Sequence, residues 1–138
     1  MSLASSPAVS TGLQTFLAFD FGLKRTGVAS GNSLTRTASP QATIAASGDA
    51  RLAAVAQQIE SWQPDALVVG IPFHPDGAPH ENTVRAQKFA RQLRARNKLQ
   101  VFEVDERYST TEALASGAAD ADAASACIIL EQFLRALP

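Results

Sequence analysis

The first strong pattern in the chain is an apolar run, Phe16-Leu17-Ala18-Phe19, that ends on a carboxylate, Asp20. Gly22 and Gly27 then frame a turn, and Thr26 to Ala29 opens a second apolar run. This predicts a buried strand over Thr15–Phe21, a tight reversal, and an antiparallel return over Thr26–Gly31. Asn32-Ser33 supplies turn residues, and a third strand is expected over Thr35–Ile44, where Pro40 suits a sheet edge or a bulge. The period then changes. Asp49 can cap a helix, and Leu52, Val55, Ile59 and Trp62 recur at helical spacing until Pro64. Ala66–Ile71 is continuously apolar, as in a strand buried on both faces. A loop with Pro75, Asp76 and Gly77 leads to a helix over Asn82–Arg96, with Ala86, Phe89, Ala90 and Leu93 as its buried stripe. Gln100–Asp105 reads as a last strand. Ser109 or Thr110 can cap a short helix, and a closing helix spans Ala121–Leu134.

Three strands in a meander, then helices alternating with strands, imply an α/β fold. Its expected form is a mixed five-stranded sheet, three strands antiparallel and the later ones joined by parallel crossovers, with helices on both faces. The length, 138 residues, fits one domain over 15–138 preceded by a flexible Ser/Ala/Gly/Thr-rich tail over 1–14. One cysteine, Cys127, excludes an intramolecular disulfide and a Cys-rich zinc site, and its apolar neighbours make it a small core residue. No apolar run has the length of a membrane span, and no charged start with an apolar core marks a signal peptide, so a cytoplasmic protein is expected.

Net charge is only −1, but its distribution is uneven: six of the twelve basic residues lie between Arg85 and Lys98. Such clustering is the footprint of a phosphate-binding face, or of a solvated helix face. The acids are placed more tellingly. Asp20 closes the first strand, Asp105-Glu106 the last, and Asp122 falls in the first turn of the closing helix. By 3–4 spacing Asp122 shares a face with Ser125 or Ala126, Ile129 and Phe133, and Ile129 and Phe133 must meet the sheet. Each acid has a structural reading: a turn hydrogen bond for Asp20, a surface pair for Glu106, the helix dipole for Asp122. Together at the carboxyl edge of a sheet they would repel unless a cation bound them, and hard oxygen ligands favour Mg²⁺ or Mn²⁺. Two such ions can drive phosphodiester cleavage.

Four ordered segments resemble the YqgF (RuvX) family: Phe19-Asp20-Phe21-Gly22-Leu23-Lys24-Arg25-Thr26-Gly27-Val28-Ala29; Val68-Val69-Gly70-Ile71-Pro72 with Asp76-Gly77; Asp105 to Ala113; and Asp122 to Glu131. The resemblance implies a ribonuclease H-like fold and a Holliday-junction-resolvase-like nuclease that matures the 5′ end of pre-16S rRNA. It implies Asp20, Glu106 and Asp122 as catalytic and metal-binding acids. Nucleic-acid contacts are expected from Lys24, Arg25, Arg85, Lys88, Arg107, Ser109 and Thr110. Relatives of this fold often draw the second acid from strand four, which here ends in Gly70, and adjacent strand residues face opposite ways, leaving Asp105 and Glu106 both open. One departure from the family's pattern stands out, in the stretch before Asp122: the interval from Thr111 to Ala121 is shorter than the family's usual substrate-touching loop.

The expected partners are nucleic acid, pre-16S rRNA first and branched DNA second, and ribosomal particles, with no membrane and a monomer or weak homodimer. A junction resolvase, an ATP-binding phosphotransfer domain suggested by Asp20-x-Gly22 and Gly27, and a non-catalytic nucleic-acid-binding module are the competing readings. Resolvases act as symmetric dimers, and a phosphotransfer domain of that kind needs two lobes.

Overall fold

A computed structural model describes residues 13–105 and 121–137. The sequence-expected tail up to residue 12 and the short helix after Ser109 or Thr110 lie outside the described residues. Strands β1 (Thr15–Phe21), β2 (Thr26–Asn32) and β3 (Ala38–Ile44) are followed by helix α1 (Gly48–Trp62), strand β4 (Ala66–Ile71), helix α2 (Glu81–Asn97), strand β5 (Gln100–Asp105) and helix α3 (Ala121–Arg135). The sheet order is β3-β2-β1-β4-β5. β1–β2 and β2–β3 pair antiparallel, β1–β4 and β4–β5 parallel. This is the mixed sheet that the hydrophobic pattern predicts.

Strand alternation sorts the core into two layers. Leu17, Phe19, Val28, Leu67, Val69 and Ile71 face α1 and α2, where they meet Leu52, Val55 and the whole predicted α2 stripe, Ala86, Phe89, Ala90 and Leu93. Phe16, Ala18, Ala29, Ala66 and Val68 face α3, against Ala126, Ile129, Leu130 and Leu134. Phe133 joins this second layer, its ring centroid 5.2 Å from Phe16 and 5.1 Å from Phe102. Burying each such aromatic or aliphatic side chain contributes about 1.5–3 kcal/mol. β4, an interior strand covered on both sides, is buried at every residue. β3 carries Pro40 at the sheet margin, where a missing N–H costs no ladder bond, and a register shift lies between Thr26 and Val28.

Some boundaries differ from expectation. Ser47, not Asp49, occupies the cap position of α1, and Asp49 lies in the first turn. The α1 stripe ends early: Trp62 is 45% exposed, because the helix stops there and Gln63 turns into the left-handed region. α2 begins at Glu81 with His80 as its cap. Leu13 packs on the α3 layer, and the Gln14 and Thr15 amides donate to the Asp65 carboxylate, so the chain is anchored to the domain from Leu13 onward. These two bonds hold Asp65 below the usual carboxylate range.

Candidate nuclease site at the carboxyl edge of the sheet

β1 delivers Asp20 to the edge of the sheet on the α3 face, in step with Phe16 and Ala18. Its neighbours in register are Gly27 on β2 and Gly70 on β4, so the strands on both sides carry no side chain beside the carboxylate. One of these glycines has a definite role. A Cβ on Gly27 would lie 1.9 Å from the Asp122 carbonyl oxygen and 2.4 Å from its carbonyl carbon. The first turn of α3 therefore rests directly on the Gly27 backbone, an approach only glycine permits. Because Gly27 is the cross-strand partner of Asp20, this contact brings Asp122 to the strand beside Asp20. The helical spacing of Asp122 with the buried Ile129 predicts this face.

The turn between β1 and β2 closes over the same edge. Gly22 is close to the Arg25 carbonyl, 2.6 Å from where a Cβ would stand. Lys24 and Arg25 are exposed on this turn. A terminal nitrogen of the Arg25 guanidinium lies 2.8 Å from the Asp122 carboxylate. The anchor of the turn is Arg51, which the sequence reading does not single out. It is 4% exposed, and its guanidinium donates to the carbonyls of Leu23, at 2.6 Å, and Ala46, at 3.1 Å. The same guanidinium lies 4.2 Å from the Phe21 ring centroid, a cation–π contact. Burial lowers its pKa from the ordinary guanidinium value. The available signal was its spacing: Arg51 and Val55 are one helical turn apart on the stripe that faces the sheet.

β5 sets the face of one of the two candidate acids. Asp105 pairs in register with Ile71, and with Val101 and Glu103 it alternates onto the α1/α2 side, away from Asp20. Phe102 and Val104 take the α3 side. Glu106, Arg107, Ser109 and Thr110 lie outside the described residues. Among the described residues no three His, Cys, Asp or Glu side chains are grouped to hold a metal ion. Asp20 and Asp122 both stand at this edge, and their carboxylates are hard-oxygen donors of the kind a divalent cation takes.

The basic run on α2 divides. Arg94 is committed to β5, donating to the Val101 carbonyl at 2.8 Å and to Glu103 at 3.0 Å, and Arg96 pairs with Asp49 at 3.5 Å. Arg85 and Lys88 border a cleft between α1 and α2, on the opposite side of the sheet from Asp20. The loop from β4 to α2 is set by Thr83, whose buried hydroxyl donates to the Pro72 carbonyl and accepts from the His80 amide at 3.0 Å. His80 Nδ1 in turn accepts from the Asn82 amide at 3.1 Å.

Comparison with known proteins places this geometry. Residues 14–136 match the family described as RuvX, Holliday junction resolvase. A protein of Polaromonas sp. (strain JS666) named "Putative pre-16S rRNA nuclease" is 81% identical over the full length of both chains. One of the same name from Albidiferax ferrireducens is 72% identical, covering 94% of this chain and 83% of its own. Among solved structures, Thermus thermophilus RuvC in complex with a Holliday junction substrate superposes with a TM-score of 0.59 at 15% identity, over 88% of this chain and 94% of that one. That likeness establishes the RuvC-like, ribonuclease H-like fold.

Proposed function

The chain belongs to the RuvX family, and on that footing we propose that it is a divalent-metal-dependent nuclease that hydrolyses phosphodiester bonds in structured RNA, its substrate the 5′ leader of pre-16S rRNA. The observation that carries this reading is the seating of Asp122 on Gly27, the strand partner of Asp20, at the carboxyl edge of the sheet. Asp20, Asp122 and Glu106 would hold Mg²⁺ or Mn²⁺, which when bound supplies a Lewis acid for activating water and stabilising the departing oxygen. The protein's share is positioning. The central β1 strand fixes Asp20, the Gly27 contact fixes Asp122, and the Arg51 bond to the Leu23 carbonyl holds the turn bearing Lys24 and Arg25 over the edge. Arg25 neutralises Asp122 in the free protein and is placed to transfer to a substrate phosphate.

Cleavage of Holliday junctions is the second reading, favoured by the family's description and by the RuvC-like fold. The full chain incubated with leader-bearing 16S rRNA precursor and with a four-way DNA junction, in Mg²⁺ or Mn²⁺ and in chelator, decides between them. The proposal expects metal-dependent cutting of the RNA in its 5′ leader and an intact junction. Paired symmetric cuts in the junction with intact RNA would establish the second reading. No cutting of either would leave a nucleic-acid-binding module.

A further inference from the structure

The turn after Asp20 leads over the sheet edge to a second feature, the cleft between α1 and α2. It has a volume of about 240 Å³ and is lined by Phe21, Arg51, Arg85, Lys88, Phe89 and Gln92, with Asp49 at its border. We propose that this cleft is a phosphate site that holds the backbone of the same nucleic-acid strand on the opposite face of the sheet from Asp20. The inference rests on the nuclease reading for the strand's identity, and on charge, shape and position for the site.

Charge comes first. Arg85, Lys88 and Gln92 stand at i, i+3 and i+7, one stripe of α2 about 10 Å long, the span of one to two backbone phosphates. The acid at the border, Asp49, points into solvent, 95% exposed, with Arg96 3.5 Å away. Arg85 contacts Glu81 at 3.4 Å and Asn82 at 3.1 Å, but Glu81 is 83% exposed, and such an i,i+4 pair is easily exchanged for a phosphate. Lys88 is exposed and makes no ion pair among the described residues.

Shape narrows the ligand. The volume is below the usual range for a drug-sized ligand or a dinucleotide, which is about 300–1,000 Å³. The aromatic floor is also spoken for: the Phe21 ring lies under the Arg51 guanidinium and 5.3 Å from the Phe89 ring. A base has no free ring to stack on, so cationic side chains meeting a phosphate are the chemistry left.

Position supplies the strand. Phe21 directly follows Asp20, and the two project to opposite faces at the end of β1. The rim between them is the turn bearing Lys24 and Arg25, and Arg51, a wall of the cleft, donates to that turn's Leu23 carbonyl. A strand with one phosphate at Asp20 thus passes exposed cations at the rim before reaching Arg85 and Lys88. Contacts of this kind fix register without reading bases.

The test uses the full chain and a fluorescent RNA stem-loop with a single-stranded 5′ extension, its binding measured in chelator across a salt series. The Arg85→Ala/Lys88→Ala double variant should bind at least tenfold more weakly at 0.1 M salt, and its log–log salt slope should fall by about 1.4 for two lost single-strand contacts. Lys88→Arg should bind like the parent. Arg91→Ala, which removes one cation from an exposed α2 position outside the cleft, should stay within twofold of it. An unchanged slope in the double variant, an equal loss in Arg91→Ala, or no measurable RNA binding by the parent overturns the proposal. So does inorganic phosphate shifting the Lys88 and Gln92 amide resonances when the RNA leaves them unmoved, which would make the cleft a site for free phosphate. The two readings fail separately. A parent that binds RNA through the cleft and never cuts it loses the nuclease reading alone; one that cuts RNA with an unchanged salt slope loses the cleft alone.

Discussion

Arg25 and Asp122 form an ion pair, 2.8 Å between guanidinium nitrogen and carboxylate oxygen, that links the β1–β2 turn to the first turn of α3. The guanidinium is largely exposed and the carboxylate about one-third exposed, so the pair contributes little stability, at most about 1 kcal/mol. Its significance lies in competition. Arg25 occupies the carboxylate that the account gives to a divalent cation.

Replacing Arg25 with Gln should therefore lower the Mn²⁺ concentration that half-maximally raises the melting temperature, while changing the metal-free melting temperature only slightly. Thermal melts across a Mn²⁺ series measure both. An unchanged midpoint would mean that the guanidinium and the cation do not compete for Asp122.

Gly27→Ala probes the contact that seats α3. The added methyl would meet the backbone of Asp122, which cannot rotate away as a side chain can. The helix must shift, at a cost of about 1–3 kcal/mol or more. Urea unfolding should show that loss, and cleavage should fall further than stability alone accounts for, because Asp122 moves with the helix.

Thr83→Val keeps the shape of a buried side chain and removes its hydroxyl. The Pro72 carbonyl and the His80 amide then lose their partner, a loss of about 1–3 kcal/mol. Chemical denaturation measures it. A neutral result would mean that water replaces the hydroxyl at both groups.

Cys127 provides a pH test. Burial, and secondarily the Glu131 charge, push its thiol up to about 11. At neutral pH it should hold roughly 300-fold less thiolate than a free cysteine near 8.5. Alkylation by iodoacetamide should keep accelerating up to about pH 11. A plateau near pH 8.5 would show an ordinary exposed thiol.

Much of this architecture is written in local patterns. The alternation of Phe16, Ala18 and Asp20 against Leu17 and Phe19 assigns Asp20 a face, and the spacing of Asp122, Ala126 and Ile129 assigns the helix the same one. The α2 stripe is likewise readable because all four of its members are apolar at 3–4 spacing. Contacts that depend on how elements meet are not local. The Arg25–Asp122 pair and the Gly27–Asp122 contact join segments far apart in the chain, and Arg51 looks from the sequence like one more surface arginine beside a helix cap. Trp62 carries the right spacing, but the helix ends at that residue, so its ring has too little to pack against. The face that Asp105 takes depends on strand register, which a two-residue acidic pair cannot reveal.

Whether Asp20 and Asp122 serve one cation site is decided by a differential melting experiment. Melting curves of the parent, Asp20→Asn and Asp122→Asn are recorded in chelator and in Mn²⁺. Mn²⁺ at a hundredfold excess over its dissociation constant stabilises a single-site protein by about 2.7 kcal/mol. The parent should gain several degrees from the metal, and each variant should lose most of that gain. A parent that melts at the same temperature with and without metal, or variants that keep the full metal-dependent gain, would contradict the account.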